Sequence, residues 1–76
     1  QPALKRALLA RDKCCRYPGC THEKWLDAHH VMHWADGGET SLENTILLCS
    51  RHHRLLHEGA FEIKSGPAGD WQFRRG

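Results

Sequence analysis

Five histidines and three cysteines of this chain fall into two groups, each spaced to hold a metal ion. The first group is Cys15-x4-Cys20 with Cys49-x2-His52. Both side chains of each pair can reach one ion, and four sulfur and nitrogen donors suit tetrahedral Zn2+. The 28 residues between the pairs are too many for a two-Cys, two-His finger, so this zinc would staple distant parts of the chain. Cys14 is the alternative to Cys15, which is preferred because the Pro18-Gly19 turn closes between it and Cys20. The second group is His29-His30 with His53-x3-His57. On a helix, positions i and i+4 share a face, so His53 and His57 can grip one ion. His52 lies about 100° round from His53, which lets one helix serve two metals. In a strand His29 and His30 point to opposite sides, so one can bind the ion while the other turns toward substrate. Adjacent histidines can thus take different roles, one on the ion and one beside it.

The elements that must position these groups can be read from periodicity and turn residues. Pro2 begins a short helix in which Leu4 and Leu8 recur at i, i+4, ending near Asp12. Cys15–Cys20 is a tight knuckle. Trp25–His29 predicts a first strand and Thr45–Cys49 a second, with a reversal at Asp36-Gly37-Gly38 between them. Ser50 is the expected N-cap and Gly59 the stop of a helix over 51–58. Phe61 and Ile63 share a face, as do Trp71 and Phe73, and the Ser65–Asp70 loop is rich in Gly and Pro, so the tail predicts a β-hairpin. Trp34 is expected to join the core.

A chain of 76 residues allows one domain (1–13 helix, 14–59 core, 60–76 hairpin), and 39% hydrophobic residues give it a thin core. Domains this small usually need a staple. Disulfides would permit three pairings of four cysteines. Adjacent Cys14 and Cys15, and the short patterns shared with histidine, favour metal in a reducing cytoplasm instead. The chain opens at Gln1 and reads as a domain cut from a longer protein. It has no signal-peptide pattern and no apolar run near the ~18 residues of a membrane span. Residues 1–16 carry five basic residues and one acidic, residues 17–50 one basic and five acidic, within a net charge of +2. A basic flank beside a histidine-rich centre suits a phosphate polyanion, although a solvated helix face would look the same. Arg6, Arg11, Arg16, Arg51 and Arg54 are the candidate phosphate contacts, and His33 lies in the loop where substrate should sit.

Ala28-His29-His30-Val31, then Gly37-Gly38, Asn44, Leu48-Cys49 and His52-His53-x3-His57, resembles the HNH endonuclease signature. More narrowly, the stretch from Arg6-Ala7-Leu8 through Cys15–Cys20 to His57-Glu58-Gly59 is similar to HNH domains at the C-termini of actinobacterial and related repeat-family proteins. The resemblance covers roughly residues 3–74. It implies a small α+β, ββα-metal fold, here with an N-terminal helix, a zinc-knuckle staple and a C-terminal β-hairpin. It implies His30 as general base, Asn44 as the residue orienting it and its loop, and His29, His53 and His57 as metal ligands, as in colicin-type HNH nucleases. Many members have Asp where His29 stands; three neutral imidazoles suit Zn2+, Ni2+, Co2+ or Mn2+ better than Mg2+.

The implied reaction follows from charge: an ion neutralises the phosphodiester as a Lewis acid while the His30 imidazole takes a proton from water. Asp27, two residues before His29 on the same strand face, can orient a ligand ring. The expected partner is double-stranded DNA, with no membrane. Two other readings compete. A zinc-stapled nucleic-acid-binding module without catalysis would keep Cys15, Cys20, Cys49 and His52 but has no use for His30 or Asn44. A structural assembly domain would predict apolar surface, whereas the loops are polar and basic.

Overall fold

Thr45–Cys49 is an uncharged, β-branched and leucine-rich run, and it forms a strand that is buried at every position, β2. In the computed structural model, which describes residues 2–66 and 70–75, the other elements are α1 (Pro2–Asp12), β1 (Leu26–His30), α2 (Ser50–His57), β3 (Phe61–Ser65) and β4 (Trp71–Arg75). β1 pairs antiparallel with β2, with Leu26 opposite Cys49 and His30 opposite Thr45. β3 pairs antiparallel with β4, with Phe61 opposite Arg75 and Ser65 opposite Trp71. The order β1, β2, α2 is the ββα unit, so the fold is small α+β with two hairpins and two helices. Among the described residues, no helix is long and apolar enough to cross a membrane. The turn expected within Ser65–Asp70 falls on residues 67–69, which lie outside the described residues, as do Gln1 and Gly76.

The second edge of β2 is closed by the end of α1. α1 stops where Lys13 turns to φ 68° and donates its N–H to the Leu9 carbonyl at 2.9 Å, a left-handed closure of the kind that ends helices. That turn leaves the buried Asp12 carboxylate to accept the Leu47 N–H at 3.1 Å. Arg16 N–H donates to the Leu47 carbonyl at 2.9 Å, and the Arg11 guanidinium to the Thr45 carbonyl at 2.7 Å. Both edges of β2 therefore have partners, as buried backbone requires. Leu8, Cys15, Leu26, Ile46, Leu47, Leu48 and Cys49 form the core cluster.

Three expectations are corrected. The first strand starts one residue later than predicted, because Trp25 takes φ 57° and turns its carbonyl to the Ser50 N–H at 2.9 Å. Ser50 is the first helical residue, not the cap; Cys49 occupies that position in extended conformation. Trp34 is not in the core but 70% exposed, because a 3-10 turn over Trp34–Asp36 carries it away from β2.

Residues 31–44 join β1 to β2, and the Asn44 side chain braces them. Its Oδ1 accepts the Met32 N–H at 2.8 Å, and its Nδ2 donates to the Met32 carbonyl at 2.9 Å and the Glu39 carbonyl at 2.8 Å. The amide thus extends the strand ladder by one artificial residue beyond the bond from Val31 N–H to the Asn44 carbonyl. Gly38 makes this possible, since a Cβ there would stand 1.9 Å from the Met32 carbonyl oxygen and 2.8 Å from Asn44 Nδ2.

Candidate active site and metal centres

Cys15, Cys20, Cys49 and His52 each offer a donor atom, all within 4.8 Å of one another. The knuckle supplies Cys15 and Cys20, the end of β2 supplies Cys49, and the first turn of α2 supplies His52. His52 Nδ1 stands 3.5 Å from Cys15 Sγ and 3.3 Å from Cys49 Sγ. Those spacings match the ~3.5 Å edge expected for sulfur and nitrogen on one tetrahedral zinc. The donor set fits the ion by type, number and separation. All four cysteines are free thiols. Cys14 lies outside the cluster, its Sγ 3.8 Å from the Cys20 carbonyl. Burial pushes the Cys15 thiol up to about 12. At Cys49 burial acts upward too, but the backbone of His52, the neighbouring thiols and the backbone of Arg51 together bring that thiol down. A dication at the centre would make both thiolates. The His52 ring is held by stacking on Tyr17, centroids 4.1 Å apart and planes 8° apart. Tyr17 also meets Phe61 and Phe73 edge-on, which ties the C-terminal hairpin to the knuckle.

The second cluster joins β1 to the next turns of α2. His29, His53 and His57 bring ring nitrogens within 4.8 Å of one another. His53 Nε2 and His57 Nε2 are 3.1 Å apart, close to the ~3–3.4 Å expected of two imidazoles on one ion. Asp27 Oδ2 lies 3.2 Å from His53 Nδ1. A carboxylate so placed can hold an Nδ1 proton and leave Nε2 facing the cluster, the arrangement usual around metal-ligating histidine. The His29 pKa is lowered to about 4, first by burial and then by the nearby imidazoles of His53, His57, His30 and His33. A ring kept neutral is a ring able to ligate. These residues could hold a divalent cation.

His30 stays outside this cluster. Its Nε2 lies 3.0 Å from Thr40 Oγ1 in the 31–44 loop, and its Nδ1 has no partner among the described residues. Asn44 does not touch the imidazole; it braces the loop that carries Thr40. His33 caps the 3-10 turn, its Nδ1 accepting the Ala35 N–H at 3.1 Å. Arg6, Arg16, Arg51 and Arg54 are exposed, with Arg54 Nε 4.0 Å from Glu58 Oε2. Arg11 is different. Its guanidinium bonds Asp12 and the Leu42 and Thr45 carbonyls, so it acts as a clamp within the fold, although 35% of its side chain stays exposed. Sequence reasoning missed Thr40, Tyr17 and Asp12. An aromatic residue inside a knuckle could have flagged Tyr17, but no spacing signals a hydroxyl ten residues from its histidine.

The comparisons agree with this geometry. The family model described as HNH endonuclease matches residues 13–59, which run from the turn after α1 to the end of α2. An uncharacterized protein of Mycobacterium tuberculosis is 29% identical over 73 residues, 95% of this chain and 16% of that protein. One of Mycobacterium bovis is likewise 29% identical over the same shares. A second Mycobacterium tuberculosis protein, also uncharacterized, is 31% identical over 61 residues, 79% of this chain and 13% of its own length. The chain therefore spans about a sixth or less of the curated relatives it matches. No solved structure matches it. With the ββα order, the histidine cluster across β1 and α2, and the family match all falling on the same residues, the chain belongs to the HNH endonuclease family.

Proposed function

We propose that this domain is a metal-dependent endonuclease that hydrolyses the phosphodiester bonds of double-stranded DNA in the cytoplasm. One observation carries the reading: the His30 imidazole, bonded to the loop hydroxyl of Thr40, stands on the residue next to a three-imidazole cluster and takes no part in it. A pure binding module has no use for that arrangement. In this reading Cys15, Cys20, Cys49 and His52 hold a structural Zn2+, and His29, His53 and His57 hold the catalytic cation. The bound ion supplies Lewis-acid neutralisation of the phosphate, with Zn2+, Ni2+, Co2+ or Mn2+ suited better than Mg2+ to neutral imidazoles.

The chain's own residues do the rest. Thr40 occupies Nε2 of His30, which leaves Nδ1 as the atom that takes the proton from the attacking water. Asn44 fixes the loop that carries Thr40, and through it the direction of Nδ1. Asp27 fixes the tautomer of His53. Arg6, Arg16, Arg51 and Arg54 remain as phosphate contacts. The direct test is plasmid nicking by the purified domain with each divalent metal in turn, with and without chelator. Cleavage restored by added metal is the expected result, and binding without cleavage under every metal would reduce the domain to a zinc-stapled binding module.

Two substitutions test the supporting residues. Asp27→Asn keeps the shape but weakens the hold on the His53 proton, so affinity for the second metal should fall about 10–100-fold, read by calorimetric titration. The zinc content of the knuckle should not change. Asn44→Asp removes both amide donors and sets a carboxylate against the Met32 and Glu39 carbonyl oxygens. Displacing the loop by even ~1 Å should slow single-turnover cleavage at least about tenfold while both helices remain folded. A wild-type rate would leave Asn44 a turn residue only.

A further inference from the structure

The loop that holds His30 carries a second feature, which the proposed mechanism does not use. Trp34 is 70% exposed, its indole stacked on the His33 imidazole with centroids 5.8 Å apart and planes 25° apart. Met32 beside them is 55% exposed. Tryptophan has the largest apolar face of any side chain, and here most of it is left in water. The backbone beneath is fixed by Asn44, by the approach of Gly38 to Met32, and by bonds from the Asp36 and Gly38 N–H groups to the His33 carbonyl. The patch is therefore ordered before any partner arrives. His33 follows His30 by three residues, so it lies within about 10 Å of chain from it.

Charge shows what this patch does not grip. Residues 31–44 contain no lysine or arginine but include Asp36, Glu39 and Glu43, which line the cleft between this loop and β3. Lys64 of β3 lines the same cleft, so the surface is net acidic and disfavours a phosphate backbone. Nucleic-acid bases are uncharged and flat, and each offers a π face to an aromatic platform. Inside an intact duplex both faces of a base are covered by its neighbours, so an indole can take one only where it leaves the stack.

We infer that Trp34, backed by His33, receives a base displaced from the stack beside the phosphodiester held at the histidine cluster. The favoured substrate is then duplex DNA carrying an unpaired or displaced base. The inference takes its position from the nuclease reading, but the stacking can be measured apart from cleavage.

The test uses the His30→Ala domain and fluorescence anisotropy with three labelled duplexes: fully paired, bearing a one-base bulge, and bearing an abasic bulge. The bulged duplex should bind at least about fivefold tighter than the paired one, the lower end of what one stacked base contributes. The abasic bulge should lose that gain. Adding Trp34→Ala should abolish the gain, with no further loss at the abasic site, and Trp34→Phe should keep most of it. Trp25 is 76% exposed at the opposite end of β1, so Trp25→Ala is the control and should change nothing. A full bulge preference in Trp34→Ala, or an equal loss in Trp25→Ala, overturns the inference. Plasmid nicking by the wild-type domain in parallel separates the two ideas: cleavage without base dependence sinks only the stacking, and base dependence without cleavage sinks only the nuclease.

Discussion

Cys20→Ser should leave the domain unfolded at room temperature, with no cooperative melt by circular dichroism and no retained zinc. Among the described residues the hydrophobic core holds eight buried residues, and two of those, Cys15 and Cys49, belong to the proposed zinc cluster. Domains of ordinary size are stable by about 5–15 kcal/mol, whereas structural zinc in small domains contributes about 10–16 kcal/mol. Removing one thiolate forfeits most of a term as large as the whole stability. The loss spreads, because Cys20 and Cys15 hold the knuckle to Cys49 and His52 at the junction of β2 and α2, and Tyr17 between them carries the C-terminal hairpin. Two companions make the result specific. Cys14→Ser should melt like the wild type, since Cys14 stands outside the cluster. His57→Ala should stay folded and lose cleavage, since its cluster is partly exposed and adds little to the core. A wild-type melt for Cys20→Ser would show that the four side chains are not a metal staple.

His30→Ala should abolish cleavage while leaving the melt and the metal content of both clusters unchanged. His30 shares no donor contact with either cluster, and its one described side-chain bond goes to an exposed loop hydroxyl. A positioned general base typically contributes 10²–10⁴-fold, so single-turnover cleavage at saturating metal should fall by about that factor. Metal analysis and circular dichroism on the same preparation separate loss of the base from loss of the ion. Cleavage within a few-fold of wild type would move the proton transfer to another group.

The ββα unit was legible because its signals are local. Thr45–Cys49 is apolar throughout, His53-x3-His57 has a helical period, and Gly59 with φ 84° ends α2 where it should. The grouping of the two clusters was legible too, since strand alternation and i, i+4 spacing are arithmetic. What the sequence hid is what depends on long-range closure. Arg11 looked like a phosphate contact because its charge is visible in the sequence, and its three internal acceptors are not. Trp34 looked like core because tryptophan usually is, but a three-residue turn capped by His33 lifts it into solvent. Thr40 meets His30 only because the Asn44 amide folds the loop back on β1. Trp25 reads as strand, yet the start of α2 claims its carbonyl and bends it out of register.

The closure of β2 by Asp12, Arg11 and Arg16 has a consequence for how this chain avoids its neighbours. Thr45-Ile46-Leu47-Leu48-Cys49 is a short, uncharged, proline-free segment of high strand propensity, the composition that seeds cross-β aggregation when an edge is open. β1 covers one side, and the other is covered by a carboxylate and a guanidinium at the end of an eleven-residue helix and by one amide of the knuckle that follows. The segment matched by the family begins at residue 13, immediately after Asp12. The helix before it is thus a gatekeeper: until it docks, a freshly made chain presents a sticky ribbon to every other copy.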